Sequence, residues 1–313
     1  MATYLVTGGA GFIGSHLVEA ILERGDCVRI LDNFSTGKRE TVELFGGPVE
    51  VIEGDLRSFQ IVREAVQDVD CVFHQGALPS VPRSLKDPIT TNEVNVGGTL
   101  NVLEAARDAG VSRVVFASSS SVYGPGQELP KREEMLPQPI SPYAVSKLAG
   151  ERYCHVFTKT FGVETVALRY FNVFGPRQDP QSAYAAFIPK FVQGILNGSP
   201  LVIDGDGSQS RDFTYIRNVV QANILAAHVE GIAGQVFNIA CGVNLSVNDV
   251  VDHIRNATKL KGNVSYGEVR AGDVSHSLAD IDLAKELMGY RPEITAQEGL
   301  NEVVSWFRLK AEH

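Results

Sequence analysis

Cysteine is scarce in this sequence. Only Cys27, Cys71, Cys154 and Cys241 occur in 313 residues, and no two lie close enough to form a zinc or redox motif. They read as small buried apolar residues. The seven histidines show no ligand spacing, so no metal site is predicted. Basic charge is short as well: 28 Lys and Arg stand against 37 Asp and Glu, for a net charge of −9. That balance excludes the basic surface needed for sequence-independent nucleic-acid binding, although an anionic small molecule needs only a few local donors. There is no run of about 18 apolar residues. The chain opens on a strand rather than on a charged and then apolar leader. The expectation is a cytoplasmic protein with no membrane partner. Internal repeats are absent, and the four serines at 118–121 are too short a run to be low complexity.

What is present is an ordinary globular composition, 44% hydrophobic and 21% charged. The length allows one large domain with a smaller lobe. Residues 4–6, 27–31, 49–52, 71–74, 113–117 and about 163–168 read as strands, and 11–24, 95–109 and about 142–161 as helices. In the second helix Val96, Leu100, Leu103 and Ala106 fall on one face. Strands alternating with helices predict a doubly wound parallel α/β sheet of the Rossmann type. After residue 170 the pattern weakens into loops rich in Gly, Pro, Asp and Ser, and only Gln235 to Ala240 reads again as a strand. The expected division is 1–170 for a dinucleotide-binding domain, with a strand returning to it near 235–240. A smaller C-terminal substrate-binding lobe would take up most of 171–313.

The first predicted strand runs directly into Gly8-Gly9-Ala10-Gly11-Phe12-Ile13-Gly14, a G-x-x-G-x-x-G spacing ahead of a helix. Gly8 permits a tight turn, Gly11 a close approach of backbone to a pyrophosphate, and Gly14 close packing of helix on strand. The helix end supplies free N–H groups and a positive dipole. Asp32, 18 residues beyond Gly14, closes the second strand, where a carboxylate accepts from ribose hydroxyls and repels a 2′-phosphate. Lys38 and Arg39 leave NADP open, as cations that reach a 2′-phosphate or as solvated loop charges. Asp55 reads equally as a group beside the adenine or as a helix N-cap.

Tyr143 and Lys147 form Y-x-x-x-K, one helical turn apart and on one face. An ordinary phenol, with a pKa of about 10, is ionised in roughly one molecule per thousand at pH 7. A neighbouring ammonium favours the phenolate that a base at neutral pH requires. The glycine turn, Asp32, Asp55-Leu56, the serine run, Tyr143 and Lys147 together resemble, in order and spacing, the extended short-chain dehydrogenase/reductase family. The likeness extends over essentially the whole chain. It implies Ser119, Tyr143 and Lys147 as catalytic residues and a tightly bound NAD. Cofactor contacts are implied from Gly8, Gly11, Phe12, Ile13, Gly14, Asp32, Asn33, Asp55, Leu56, Gln75, Ala77 and Tyr170 as well as Tyr143 and Lys147.

Dehydratases of that family place an Asp-Glu pair after the catalytic Ser/Thr, and decarboxylases a Glu just before Val-Tyr-Gly. This chain reads Ser120-Ser121-Val122-Tyr123-Gly124. The resemblance therefore points to nucleotide-sugar 4-epimerases. Three segments, 80–84, 170–184 and 275–280, are most similar to the members acting on UDP-N-acetylglucosamine. It implies a UDP-sugar bound by Ser80, Ser119, Ser121, Tyr143, Asn172, Arg211, Phe213, Arg270, Asp273 and Ser277. Ser277 matches a gate position where epimerases restricted to sugars without the acetamide carry Tyr. Two departures stand out: Pro79 replaces a Gly or Lys, and Gln75-Gly76 replaces the usual pair before Ala77. UDP-glucuronate epimerases and decarboxylases share most of the scaffold, with Arg83, Arg177 or Arg211 available for a carboxylate. A non-catalytic dinucleotide-binding protein is the alternative of another class. A homodimer through the helices around 95–109 and 142–161 is implied by the resemblance alone.

Overall fold

The computed structural model describes residues 1–126, 128–181, 186–268 and 275–311. The first half contains β1 (Thr3–Thr7), α1 (Phe12–Glu23), β2 (Cys27–Asp32), α2 (Arg39–Glu43), β3 (Val49–Glu53), α3 (Phe59–Ala65) and β4 (Cys71–His74). It continues through α4 (Val81–Lys86), α5 (Pro88–Asn92), α6 (Gly98–Ala109), β5 (Arg113–Ser119), α7 (Pro142–Phe161) and β6 (Glu164–Tyr170). Strands β4, β5 and β6 are buried along almost their whole length, as a parallel sheet covered by helices on both faces requires.

Beyond β6 come β7 (Val173–Phe174), α8 (Phe187–Asn197), β8 (Pro200–Asp204), β9 (Ser210–Asp212), β10 (Thr214–Tyr215), α9 (Ile216–His228) and β11 (Val236–Ile239). The chain ends with β12 (Asn244–Ser246), α10 (Val247–Thr258), β13 (Asn263–Gly267), α11 (Asp282–Met288) and α12 (Ala296–Ala311). This half is more regular than its loop-rich composition suggests. Gly198, Gly205 and Gly207 adopt left-handed φ of 67°, 74° and 77°, so they end or join elements rather than replace them.

The main sheet has the order β3-β2-β1-β4-β5-β6-β11, and its neighbours are all parallel. The chain winds outward from β1 to β3, then crosses to β4 on the other side of β1. This is the doubly wound Rossmann architecture, and its switch point lies between the carboxyl ends of β1 and β4. β11 pairs with β6, with Ile239 opposite Tyr170. Strands β7 and β10, β9 and β12, and β8 and β13 pair in three small ribbons. Adjacent residues of each strand feed opposite cores: Val6, Ile30, Phe73 and Val115 face one, Leu5, Leu31, Val72 and Val114 the other.

The predicted face of the helix over 95–109 packs on the core for most of its length. Glu93–Gly97 is a single π-helical turn preceding α6. Leu103 and Ala106 are buried, with Val102 and Ala105 beside them, and Leu100 packs partly buried against the same core, while Val96 lies in the π turn and is partly buried. No described helix is long and apolar enough to cross a membrane.

Candidate active site

At the switch point the chain leaves β1 through Gly8, whose φ of 71° is left-handed. A Cβ on Gly8 would stand 2.8 Å from the Gly76 Cα, and one on Gly14 2.2 Å from the Gly8 carbonyl oxygen. Helix α1 thus presses on the turn, and the turn on the loop after β4. At Gly11 the same atom meets only the Gly8 oxygen, at 3.2 Å. Gly11 is the N-cap of α1 and supplies no side-chain cap, so the N–H groups from Phe12 and Ile13 onward have no acceptor within the helix. Free donors, a positive helix end and open space fit a dinucleotide pyrophosphate.

Asp32 accepts from the N–H of Ala10 at 3.0 Å and of Phe34 at 2.8 Å. Burial raises its pKa, and these two bonds oppose the rise. Beside it, Asn33 donates to Asp55 at 3.0 Å. Hydrogen bonding from Arg57 is the main reason that the Asp55 carboxyl is held down to about 2. The N-cap reading of Asp55 is not supported: Ser58 occupies that position on α3, and Asp55 instead accepts from the Arg57 N–H at 2.9 Å. Leu56 is buried and fills the space where side chains on Gly76 and Gly98 would stand. Lys38 pairs with Asp179 at 3.3 Å, and Arg39 pairs with Glu53 while lying 4.2 Å from the Phe34 ring centroid.

The loop after β4 is held from below. Gln75 donates to the Tyr170 hydroxyl at 3.1 Å and to Asn223 at 3.0 Å, and Tyr170 also bonds Asn223. Asn95, placed by the π turn, accepts from the Leu78 N–H at 2.7 Å and donates to the Leu78 carbonyl and to Ser146. This clamps the backbone beside Ala77. His74 links Thr7 at 2.8 Å to Thr99 at 3.0 Å. Burial, helped by the Lys147 charge, pushes its pKa down to about 3. Pro79 leads into Ser80, whose φ is 115° and whose hydroxyl caps α4 by accepting from Arg83 N–H at 3.2 Å.

β5 delivers Ser119 to the carboxyl edge of the sheet. Ser141, accepting from the Ala144 N–H, caps α7, and Pro142 opens the helix. Tyr143 thereby lies in the first turn. Its phenol is raised above the ordinary value by desolvation, opposed by a hydrogen bond with Ser119. Lys147 is 5% exposed and donates to the Ala117 carbonyl at 2.8 Å. Its Nζ is 6.0 Å from the Tyr143 ring centroid, and burial brings its pKa down to about 8. One expectation is corrected here. Lys147 shares the face of Tyr143, but it is anchored to β5, and Ser119 rather than Lys147 supplies the phenol's stabilising contact. The Ser121 hydroxyl is buried and has no hydrogen-bond partner among the described residues.

A cavity of about 390 Å³ opens beyond β6 and is lined by Asn172, Phe187, Lys190, Asp204, Arg211 and Phe213 among others. Three residues predicted to bind substrate therefore meet in one place. Asn172, at φ 35°, donates to the Asp212 carbonyl at 3.0 Å. Arg211 donates to the carbonyls of Ser210 and Ser275. Ser277 belongs to a segment stitched to its neighbours: its N–H donates to Ser210 at 3.0 Å, and Lys131 brackets Leu278 and Asp280. Arg270 and Asp273 lie outside the described residues. Arg177 turns away from the cavity, to Glu19 at 2.5 Å and His16 at 2.6 Å on α1.

Sequence reasoning missed Asn95, Asn223, Asp212 and a buried pair under the serine run. Arg169 and Glu151, 2% exposed each, bond twice at 2.8 Å, and Ser118 donates to the same carboxylate at 2.5 Å. No local pattern marks these residues, whose partners are distant in sequence.

The description "NAD dependent epimerase/dehydratase family" belongs to a family model that matches residues 4–240. The chain is 38% identical to a putative UDP-glucose 4-epimerase of Methanocaldococcus jannaschii, over 97% of this chain and 98% of that one. It is similar to a solved UDP-N-acetylglucosamine 4-epimerase from Methanobrevibacter ruminantium M1, in complex with UDP-N-acetylmuramic acid. The TM-score is 0.93 and the identity 40%, with 99% of each chain covered. It also resembles a UDP-glucose 4-epimerase of Thermotoga maritima solved with UDP-glucose, at a TM-score of 0.94 and 35% identity, again with 99% of each chain covered. With the doubly wound sheet, the glycine turn and these likenesses in agreement, the chain belongs to the NAD-dependent epimerase/dehydratase family.

Proposed function

We propose that this protein is a UDP-sugar 4-epimerase that interconverts UDP-GlcNAc and UDP-GalNAc, with UDP-Glc and UDP-Gal as further substrates. The observation that carries the reading is the Ser119–Tyr143 hydrogen bond at the carboxyl edge of the sheet, beside a Ser121 hydroxyl that has no partner among the described residues. No carboxylate stands in 119–123 to drive an elimination, and Glu151 below them is occupied by Arg169. NAD is the resident cofactor, held by the N-terminus of α1 and Asp32. With Lys38 and Arg39 both paired to acids, neither is poised for a 2′-phosphate. The first 170 residues serve the dinucleotide, and most of the remainder serves the substrate.

A bound NAD, held by the N-terminus of α1 and Asp32, would supply a reversible hydride acceptor for the sugar C4. Tyr143 removes the proton of the 4-hydroxyl, beside or through Ser119, and later gives it back. Lys147 braces the nicotinamide ribose from its anchor on Ala117. Ser121 offers its hydroxyl to the sugar. Asn172, Arg211 and Phe213 hold the nucleotide and its diphosphate, guanidinium meeting phosphate oxygens in pairs. Ser277 leaves room for the three heavy atoms of an acetyl group. A uronate substrate needs a cation at its carboxylate, and Arg177 is already taken up by Glu19 and His16. A homodimer across α6 and α7 belongs to the same proposal, on the half-exposed Val145, Val156 and Phe161.

The test is NMR of the purified protein with UDP-GlcNAc, UDP-Glc and UDP-GlcA, without added cofactor. New anomeric signals from UDP-GalNAc are the expected result. If UDP-GlcNAc is inert while UDP-Glc reacts, the assignment of Ser277 fails. Turnover of UDP-GlcA alone makes the enzyme a uronate epimerase, and released CO₂ a decarboxylase. No turnover of any sugar leaves a dinucleotide-binding protein.

A further inference from the structure

Asp212 is fully buried, and no cation among the described residues pairs with it. Its carboxylate is instead satisfied by three backbone N–H groups: Cys241 at 2.9 Å, Gly242 at 3.0 Å and Ala279 at 3.2 Å. Its own carbonyl accepts from Asn172 at 3.0 Å. The residue stands between Arg211 and Phe213, which line the cavity beyond β6. Four stretches of chain therefore converge on one side chain and its backbone: β9, the turn after β11, the loop after β6 and the segment 275–280. Neither an amide nor a hydroxyl meets the same set. An asparagine there turns an N–H₂ toward a backbone N–H, and a buried donor left facing another donor costs about 1–3 kcal/mol.

The bond to Ala279 matters most, because Ala279 lies two residues beyond Ser277. The segment is also tied at Ser275 and Ser277 to Ser210, and at Leu278 and Asp280 to Lys131. Side chains of β9 also reach the segment, Arg211 to the Ser275 carbonyl and Ser210 to His276 at 2.9 Å; Asp212 is the fully buried one of the three, and its carboxylate also holds the turn after β11. We propose that Asp212 is a positioning residue that fixes the distance between the nucleotide-holding strand β9 and the sugar-side segment 275–280, and through it the discrimination between substrates at sugar C2. This rests on the reading of the protein as a UDP-sugar epimerase that accepts N-acetylated sugars.

The experiment uses the full chain with its retained NAD and the variant Asp212→Asn. Two measurements are made: KM and kcat for UDP-GlcNAc and UDP-Glc, and amide exchange over 275–280 and 241–242. The expected outcome is exchange about tenfold faster at both segments, the equivalent of one lost buried hydrogen bond. The ratio of the two KM values should shift by about threefold or more while kcat for UDP-Glc changes less than that. A folded variant with unchanged exchange and an unchanged KM ratio overturns the proposal. If exchange rises while the KM ratio stays put, Asp212 is merely structural and the proposal also falls. Should Asp212→Asn not fold, Ala279→Pro removes the one N–H that the segment 275–280 gives to the carboxylate and is judged by the same two measurements. If the wild-type protein turns over no UDP-sugar, the functional reading has failed. The proposal is then judged by the ratio of UDP to UDP-GlcNAc affinities in the two proteins, alongside exchange.

Discussion

Desolvation holds the Tyr143 phenol above its ordinary pKa, and the Ser119 hydroxyl recovers part of that rise. Removing the hydroxyl in Tyr143→Phe should lower kcat by about 10²–10⁴, the range of general acid–base catalysis, while bound NAD is kept. A single-turnover assay with a cofactor-content measurement checks both halves, and a wild-type rate would sink the assignment. Lys147 is the group that titrates in a useful range, since burial brings it down to about 8. Its ammonium is present below that pH and lost above it. The kcat/KM profile, which reports the free enzyme, should therefore fall above about pH 8. A profile flat to about pH 10 would show that the charge of Lys147 is not needed. Ser119, Tyr143 and Lys147 were legible because their spacing is local: one strand end and one helical turn. That Lys147 bonds Ala117 and not the phenol was not legible, since a strand 30 residues away decides it.

Among the elements, the β1–α1 turn is where sequence and structure agree most closely. The two glycines within it carry separable costs. A Cβ on Gly14 collides with the Gly8 carbonyl at 2.2 Å, whereas one on Gly11 has a single neighbour at 3.2 Å. Gly14→Ala should lower stability by about 1–3 kcal/mol, the usual cost of overpacking. Gly11→Ala should fold normally and lose NAD, because its methyl group enters the space left for the pyrophosphate. Thermal melts paired with cofactor content separate the two. Equal melting temperatures for the two variants would contradict the packing argument. The alternation of strands with helices was plain from apolar runs, but the π turn at Glu93–Gly97 was not. A one-residue insertion in a helix leaves every residue type plausible, and the turn it forms holds Asn95, which bonds Leu78 and Ser146.

Across the whole molecule, charged contacts tie the loop after β7 to the nucleotide-binding elements: Arg177 with Glu19 and His16 on α1, and Asp179 with Lys38. His16 is kept neutral, its pKa pushed down to about 4 by burial first and by the Arg177 charge second, so the contact persists through neutral pH. Arg177→Ala should release NAD faster in a dilution assay while KM for the UDP-sugar stays within about twofold, since the guanidinium touches α1 and not the cavity. A raised KM with unchanged NAD release would reverse that assignment. The cavity itself was half legible. Asn172, Arg211 and Phe213 were marked one by one, but their meeting depends on the pairing of Val173 with Thr214 and of Phe174 with Tyr215, which no local pattern announces. The buried pair of Arg169 and Glu151 has a consequence for how this protein can change over generations. Losing one member of such a pair costs about 3–5 kcal/mol, whereas exchanging both for apolar residues is often neutral. Single-site libraries would report both positions as immovable, while the two can still be replaced together. The route between those two sequences crosses a variant that folds poorly, and the pair under the serine run is held in place by the absence of a passable intermediate.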